Sequence, residues 1–233
     1  MWSKTIWRII DMREKMNHPL YYPTQPQLDG RRSMVRVMLD AISHGELTAY
    51  DAQIGIGHEF ERRLDYAAVQ SKMGAGIDTV EVRNPDTGLY ERQVVTSEMD
   101  VTLAKKLLVK EVWFFDKKYS RMDVRIIGIC PILEKESEDG ERVDQMLGFW
   151  VYFPELRPHL MVQEAYNTKN EMQRDSFDDL FAKRRFGSYV YSEANVYDNR
   201  TILEFAQGVT DTNLEAERIK SVLFQKEHDV WEY

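Results

Sequence analysis

Apolar side chains at the start of the chain recur with the spacing of an amphipathic helix. Charged residues fill most of the positions between them, as far as Lys15. Pro19 limits this pattern, because the residue before a proline is displaced from the α region. We therefore predict a helix over residues 2–16. Its apolar positions are Trp2, Ile6, Trp7, Ile9 and Ile10.

A segment rich in proline and poor in charge follows, as far as residue 28. Prolines favour an extended chain here. Tyr21 and Tyr22 make the segment aromatic, and an extended aromatic segment lies either on its own domain or on a partner. We therefore predict an N-terminal helical and extended arm over residues 1–30, followed by a single α+β domain over residues 31–233.

Two further helices are predicted after the arm. The first spans about residues 33–44, where an apolar stripe is followed by Gly45, a residue suited to a left-handed C-terminal cap. The second spans about residues 59–73 and has Phe60 and Leu64 on one side.

From residue 79 the pattern becomes typical of strands. Two β-rich runs, residues 79–83 and 89–95, flank residues 84–88. Within that short segment Pro85 fixes φ and Gly88 can take positive φ. This arrangement predicts a β-hairpin.

Residues 97–116 fit two interpretations, because an apolar stripe at helical spacing overlaps a β-branched and aromatic run at residues 109–115. We favour a short helical turn near residues 97–104, followed by a strand. The partner strand is predicted at residues 121–126, which alternate polar and apolar side chains.

The acidic stretch at residues 134–141 predicts a solvated loop. The aromatic run at residues 146–153 predicts a third strand, which ends at Pro154. Three neighbouring strands joined by short loops form an antiparallel meander.

The C-terminal part returns to helical patterns. Asp175 or Ser176 can cap a helix over residues 177–185, whose early carboxylates and late cations suit the helix dipole. Thr212 and Glu215 form a capping-box pattern that opens a last helix. The predicted fold class is therefore α+β: an antiparallel meander sheet flanked by helices, with the N-terminal helical and extended arm.

Composition supports a folded domain. Of 233 residues, 43% are hydrophobic and 12% are aromatic, which is enough to build a core and unlike a disordered segment. Lys and Arg number 31 against 39 Asp and Glu, and the resulting net charge of −8 argues against a dominant role in binding phosphate backbones. No apolar stretch approaches the roughly 20 residues of a membrane-spanning helix.

We predict no catalytic residues, no cofactor and no metal ligands. Cys130 is the only cysteine, which excludes an intrachain disulfide and a cysteine-based zinc cluster, and its apolar surroundings predict a small buried side chain. The Gly-x-Gly at residues 55–57 starts a nucleotide-loop pattern, but Phe60 replaces the next glycine. His58 starts a zinc-protease pattern, but Arg62 stands where the second histidine is needed.

Two alternatives remain open beside a structural role. Lys183, Arg184 and Arg185, with Tyr189 and Tyr191 nearby, could grip phosphates and stack bases in a nucleic-acid binding module, although cations at a helix C-terminus have a simpler electrostatic role. The second alternative is an enzyme whose site is assembled only in three dimensions.

Three blocks of sequence resemble a known family, and together they span most of the chain in order. The first is WSKTIWRIID at residues 2–11, with the histidine-proline pair that follows it. The second and most specific is WFFDK at residues 113–117, leading into DVRIIGI at residues 123–129. The third is SFDDLF at residues 176–181. In these blocks the chain resembles the GldN/PorN family of gliding motility and type IX secretion proteins.

The resemblance implies a non-enzymatic subunit of the secretion machinery. It implies a periplasmic ring, built with the outer-membrane lipoprotein GldK/PorK at the inner face of the outer membrane, which contacts the periplasmic part of the motor subunit GldM/PorM. Family members begin with a cleavable signal peptide. Residues 1–8 have no such apolar core, so we expect this sequence to correspond to the mature exported form.

A ring requires self-association through two different faces of each subunit. We expect no binding of nucleic acid and no direct membrane span. The predicted arm could dock on the lipoprotein by laying a helix in a groove or by adding a strand to a sheet. The residues that we predict to contact the partner are Trp2, Ile6, Trp7, Ile10, Tyr21 and Tyr22.

Overall fold

The fold is that of a computed structural model. It describes residues 2–53, 55–83, 90–97, 99–119, 121–136, 143–166, 174–206 and 208–229. Of residues 77–83, 90–96, 136, 227 and 229 only the backbone is described.

An eight-stranded antiparallel sheet forms the centre of the protein, with strand order β10-β1-β6-β7-β9-β2-β3 and β8 paired to β7. The α+β prediction, with an antiparallel sheet flanked by helices, is confirmed. The strands are β1 Ser3–Asp11, β2 Ala49–Asp51, β3 Arg63–Leu64, β4 Gly76–Arg83, β5 Tyr90–Ser97, β6 Ala104–Asp116, β7 Arg121–Glu136, β8 Val143–Leu147, β9 Phe149–Tyr152 and β10 Tyr189–Glu193.

The N-terminal segment is a strand inside this sheet. β1 pairs with β6 along its whole length and with β10 on its other side. The predicted helix over residues 2–16, and with it a helical arm, is therefore wrong. A strand buried on both faces carries apolar side chains at consecutive positions, such as Ile9 and Ile10, and so lacks the alternation that identifies most strands.

Helices cover one face of the sheet and one of its edges. Side chains of α2, α4 and α5 pack with Ile10, Leu107 and Ile129 in the main core. At the β10 edge, Ile219 and Leu223 of the last helix pack with other apolar side chains around Ile6. The helices are α1 His18–Tyr21, α2 Met34–Ser43, α3 Tyr66–Lys72, α4 Phe153–Val162, α5 Phe177–Ala182, α6 Ile202–Phe205 and α7 Val209–Asp229, with a 3-10 turn at Val101–Leu103.

The hairpin prediction is confirmed in its strands. β4 and β5 form a separate two-stranded sheet, with Gly76 opposite Ser97 and Arg83 opposite Tyr90. The turn predicted at residues 84–88 lies outside the described residues.

Several boundaries differ from those predicted. α3 is only the second half of the helix predicted over residues 59–73, because β3 occupies Arg63–Leu64. β7 continues into the predicted acidic loop as far as Glu136. The strand predicted at residues 146–153 is divided at Gly148 between the end of β8 and β9, and Pro154 lies in the first turn of α4, a helix that we did not predict. α7 begins before the predicted capping box, and Thr212 Oγ1 donates to the carbonyl of Gly208 at 2.9 Å.

Ser176 caps α5 as predicted. Its hydroxyl accepts a hydrogen bond from the amide of Asp179, and the Asp179 carboxylate accepts one from the amide of Ser176. The Ser176→Ala variant should lose one half of this capping box. We expect the free energy of unfolding, measured by urea denaturation, to fall by about 1 kcal/mol. Ser43→Ala, near the end of α2, serves as the control and should change it by less than about 0.5 kcal/mol.

Cys130 is a buried core residue, as predicted. Its side chain has no exposed surface and packs with Trp7, Leu108 and Trp150 on the second face of the sheet. Burial raises the pKa of the Cys130 thiol well above its usual range, although hydrogen bonds from neighbouring backbone amides oppose this effect.

Candidate interaction surfaces

The six residues predicted to contact a partner do not form one accessible surface. The side chains of Ile6, Trp7 and Ile10 are buried in the sheet. Trp2 and Tyr21 are half-buried, and only Tyr22 is exposed. The prediction required a helical arm outside the domain, and β1 replaces that arm.

The side chain of Trp7 is held in the sheet by a hydrogen bond to a residue that is distant in the sequence. Its Nε1 donates to Oε1 of the buried Glu59 at 2.7 Å. Lys110 lies opposite Trp7 in β6, and its Nζ lies 2.6 Å from Oε2 of Glu59. Burial raises the pKa of Glu59, but the hydrogen bonds from Lys110 and from the Gly57 amide outweigh it, so the pKa lies below its usual range.

A second charge cluster is enclosed between β1, β6 and the end of α5. Glu111 is completely buried, and Arg8 is 9% exposed. Oε2 of Glu111 accepts hydrogen bonds from Trp113 Nε1 and Arg184 Nη2, each at 3.2 Å, and lies 3.6 Å from Arg8 Nε. Burial lowers the pKa of Arg8, Glu111 opposes this effect, and Arg184 adds to it. Two guanidinium groups therefore share one carboxylate.

The basic run predicted as a nucleic-acid candidate is engaged within the chain. Lys183 Nζ lies 3.0 Å from a carboxylate oxygen of Asp175 and 3.0 Å from one of Asp179. Arg185 Nη1 lies 2.8 Å from Asp175, and Arg184 belongs to the cluster described above. Phosphate binding would compete with these ion pairs, which weighs against the nucleic-acid alternative.

The other sequence patterns have structural explanations. The amide of Gly57 donates to Glu59 Oε1 at 2.9 Å, so the backbone of this glycine loop binds a carboxylate of its own chain. His58 Nδ1 lies 2.6 Å from Oε1 of Glu61 at the surface. Within the described ranges, no group of three or more His, Cys, Asp or Glu side chains is placed to hold a metal ion.

An apolar groove lies across the second face of the sheet, and we name it the C-terminal groove. Its volume is about 710 Å³. Its floor contains a continuous row of side chains from three neighbouring strands. Lys106 of β6 pairs with Ile132 of β7, and Ile132 pairs with Leu147 of β8. α6 and the start of α7 border it.

Several apolar side chains around this groove are open to solvent. Val209 is 80% exposed, Leu203 is 64% exposed and Tyr189 is 44% exposed. Contiguous exposed apolar surface of this kind is typical of protein interaction sites. No local pattern in the sequence indicates this groove, because it combines residues from distant parts of the chain.

The described helices give no indication of a membrane span, since none has both the length and the apolar character required. Comparison with protein families identifies the family of the chain. A family model described as "Gliding motility associated protein GldN" matches residues 1–232. A search among curated proteins finds no match.

Proposed function

The chain belongs to the family of gliding motility associated protein GldN, and we propose that it is a non-enzymatic structural subunit of the gliding motility and type IX secretion machinery. Its task is to hold other proteins of the machinery through its surface. The observation that carries this proposal is the C-terminal groove, with the exposed apolar side chains of Leu203 and Val209 beside it.

The partners proposed for the chain are those implied by the resemblance of its sequence. They are the outer-membrane lipoprotein GldK/PorK, the periplasmic part of GldM/PorM, and further copies of the chain in a ring. The corresponding location is the periplasm, at the inner face of the outer membrane. We assign the lipoprotein contact to the C-terminal groove, since the residues first predicted for it are mostly buried.

Val209→Asp tests this assignment. The substitution puts a charge on the exposed rim of the groove, at the first position of α7, where an acidic residue suits the helix dipole. We therefore expect the fold to be unchanged and recovery of GldK/PorK by co-purification with the full chain to fall at least tenfold at equal expression.

Val196→Asp is the matched control. Val196 is 90% exposed, and it is not one of the residues that line the groove. Its replacement should leave recovery of the lipoprotein within twofold of the unmodified chain. Equal recovery with both variants would place the contact elsewhere, and no recovery with the unmodified chain would contradict the proposed function.

A further inference from the structure

A second groove lies beside the outer edge of β7, between that edge and the start of α4. We name it the β7-edge groove, and its volume is about 750 Å³. It is lined by the consecutive residues 122–126 of β7, and by Phe153, Pro154 and Arg157 of α4. Successive side chains of a strand point to opposite faces of a sheet. A groove that is lined by an unbroken run of strand residues therefore follows the edge of the strand itself.

This edge of β7 has no neighbouring strand within the described ranges of the chain. β6 occupies the other edge along almost the whole of β7. On the outer edge, β9 pairs only with Gly128 and Ile129, and β8 pairs from Ile132 onward. The chain leaves the sheet after β9, because Phe153 begins α4. The outer edge of β7 is therefore unpaired over residues 121–127.

The backbone groups that face this open edge can be identified from the other side of β6. The amide of Phe115 donates at 3.1 Å to the carbonyl that immediately precedes β1, so the backbone groups of Phe115 face β1. Because these directions alternate along a strand, those of Phe114 face β7, where its partner is Asp123. Met122 and Val124, on either side of Asp123, therefore direct their amides and carbonyls to the open edge.

A side-chain contact supports this direction. Oδ1 of Asp123 accepts a hydrogen bond from the amide of Val124 at 2.8 Å. A backbone amide that has no partner in a ladder requires another acceptor, and here the neighbouring carboxylate supplies it. Asp123 therefore substitutes for the missing strand, and a backbone carbonyl of an added strand can take its place.

The two faces of the sheet differ in chemistry beside the open edge. Val124 pairs with Trp113, and both line the groove on the face of the main core, where Phe153 also lies. Asp123 and Arg125 lie on the opposite face, because side chains alternate along β7. A strand added at this edge would meet apolar side chains on one face and charged side chains on the other.

We propose that an extended segment of a partner protein binds in the β7-edge groove as an additional strand of the sheet. Its backbone pairs with Met122 and Val124. Its side chains alternate, with apolar ones packed on Trp113 and Phe153 and polar ones on the opposite face. In strand addition, main-chain hydrogen bonds provide affinity and alternate side chains provide specificity. The inference rests on the proposed function only in taking the occupant to be a protein.

An extended peptide is the occupant that the open edge selects. An unpaired edge is a template for another strand, which would lie about 4.8 Å from β7. A helix cannot pair in this way, because its backbone groups already bond to one another. Charge does not select the occupant, since Arg157 pairs with Asp178 and Arg184 pairs with Glu111. Backbone pairing and the apolar face therefore define the ligand.

The test begins with a selection from a random 12-residue peptide display library on the full chain. We expect enrichment of peptides that have apolar residues at alternate positions. The best peptide is then synthesised with one N-methyl group at each position in turn, and binding is measured by fluorescence anisotropy. Methylation should weaken binding at least tenfold at every second position of the paired stretch, because only alternate amides face β7. Apolar contact alone would not produce this alternation.

Val124→Pro removes an amide from the open edge. This amide makes no bond to β6, and proline is tolerated on an edge strand where the N–H faces outwards. We therefore expect the variant to retain a cooperative thermal transition and to bind the selected peptide at least tenfold more weakly. Val143→Pro is the matched control, because Val143 is the first residue of β8 and lies outside the groove. It should bind the peptide within twofold of the unmodified chain.

Three outcomes would overturn the inference. The first is a selection that enriches no peptide, and the second is a methylation series without alternation. The third is self-association of the unmodified chain that Val124→Pro abolishes, which would assign the edge to a second copy of the chain. If Val124→Pro does not fold, the methylation series decides alone. Recovery of the lipoprotein through the C-terminal groove does not depend on this edge, so the two proposals fail separately.

Discussion

Replacing Glu111 with alanine is expected to lower the free energy of unfolding by about 3–5 kcal/mol. The carboxylate is completely buried and is the partner of both Arg8 and Arg184. Its removal leaves two guanidinium groups close together, one of them only 9% exposed, with no opposite charge beside them. Urea denaturation followed by tryptophan fluorescence measures the effect. Trp113 loses the acceptor of its Nε1 in the same variant, so the native-state fluorescence should change as well.

Two further variants separate charge burial from simple loss of a side chain. Glu193→Ala removes a carboxylate that pairs with Lys4 near the surface, and such pairs contribute about 1 kcal/mol or less. The double variant Arg8→Met/Glu111→Leu removes Glu111 together with its buried partner Arg8, and it leaves Arg184, whose side chain is 34% exposed and can be hydrated. It should recover most of the stability that Glu111→Ala loses, because apolar side chains of similar volume replace buried charges at little cost. A loss below about 1 kcal/mol in Glu111→Ala would show that Arg8 and Arg184 do not depend on this carboxylate.

Ile6→Asp is expected to prevent folding altogether. Ile6 is completely buried in β1, opposite Glu111 in β6 and Glu193 in β10. A carboxylate at this position would lie close to two others and would replace a side chain whose burial contributes about 1.5–3 kcal/mol. Burial of a charge without a partner costs several kcal/mol more. The total loss is comparable to the whole free energy of unfolding of an ordinary domain, about 5–15 kcal/mol. Loss of the near-UV circular dichroism spectrum and of a cooperative thermal transition would show this effect.

Leu28→Asp is the matched control for this experiment. Leu28 belongs to the same predicted arm, but its side chain is completely exposed, so the change should leave the thermal transition in place. Deletion of residues 2–28 should resemble Ile6→Asp, because it removes a strand that lies between two others. A truncated chain that still unfolds cooperatively would contradict the central position of β1.

Elements with a local signal could be predicted from the sequence. α2 has Ser33 as its N-cap and Gly45, with φ of 74°, after its end. α5 has its capping box at Ser176. β4 and β5 pair as the hairpin that the residue types of the sequence between them predict. In each case the residues that specify the element are close together in the sequence.

The N-terminal strand had no such signal. Ile6 and Ile10 lie on one face of the strand, and Trp7 and Ile9 lie on the other. Because Ile6 and Ile10 are also spaced as in a helix, the same apolar positions fit a helix and a strand that is buried on both faces. Arg8 suggested a solvent-facing position because charged side chains are rarely buried alone. Its burial depends on Glu111, whose place beside it is set by the pairing of β1 with β6.

The C-terminal groove could not be predicted for a related reason. The C-terminal groove joins β8, β10 and the helices α6 and α7 across strands from the middle and the start of the chain. Exposed apolar surface is a property of the assembled sheet, which local periodicity does not describe.

The position of β1 also fixes the order in which the sheet can be completed. Its first neighbour, β6, lies in the middle of the chain, and its second, β10, lies near the end. A growing chain therefore carries β1 with both strand edges open until β6 is available, and with one edge still open until β10 is available near the end of the chain. Open apolar edges of this kind promote aggregation, and pairing over such long sequence separations is slow. Correct folding of this protein therefore depends on keeping its first strand apart from other chains until its last strand is available.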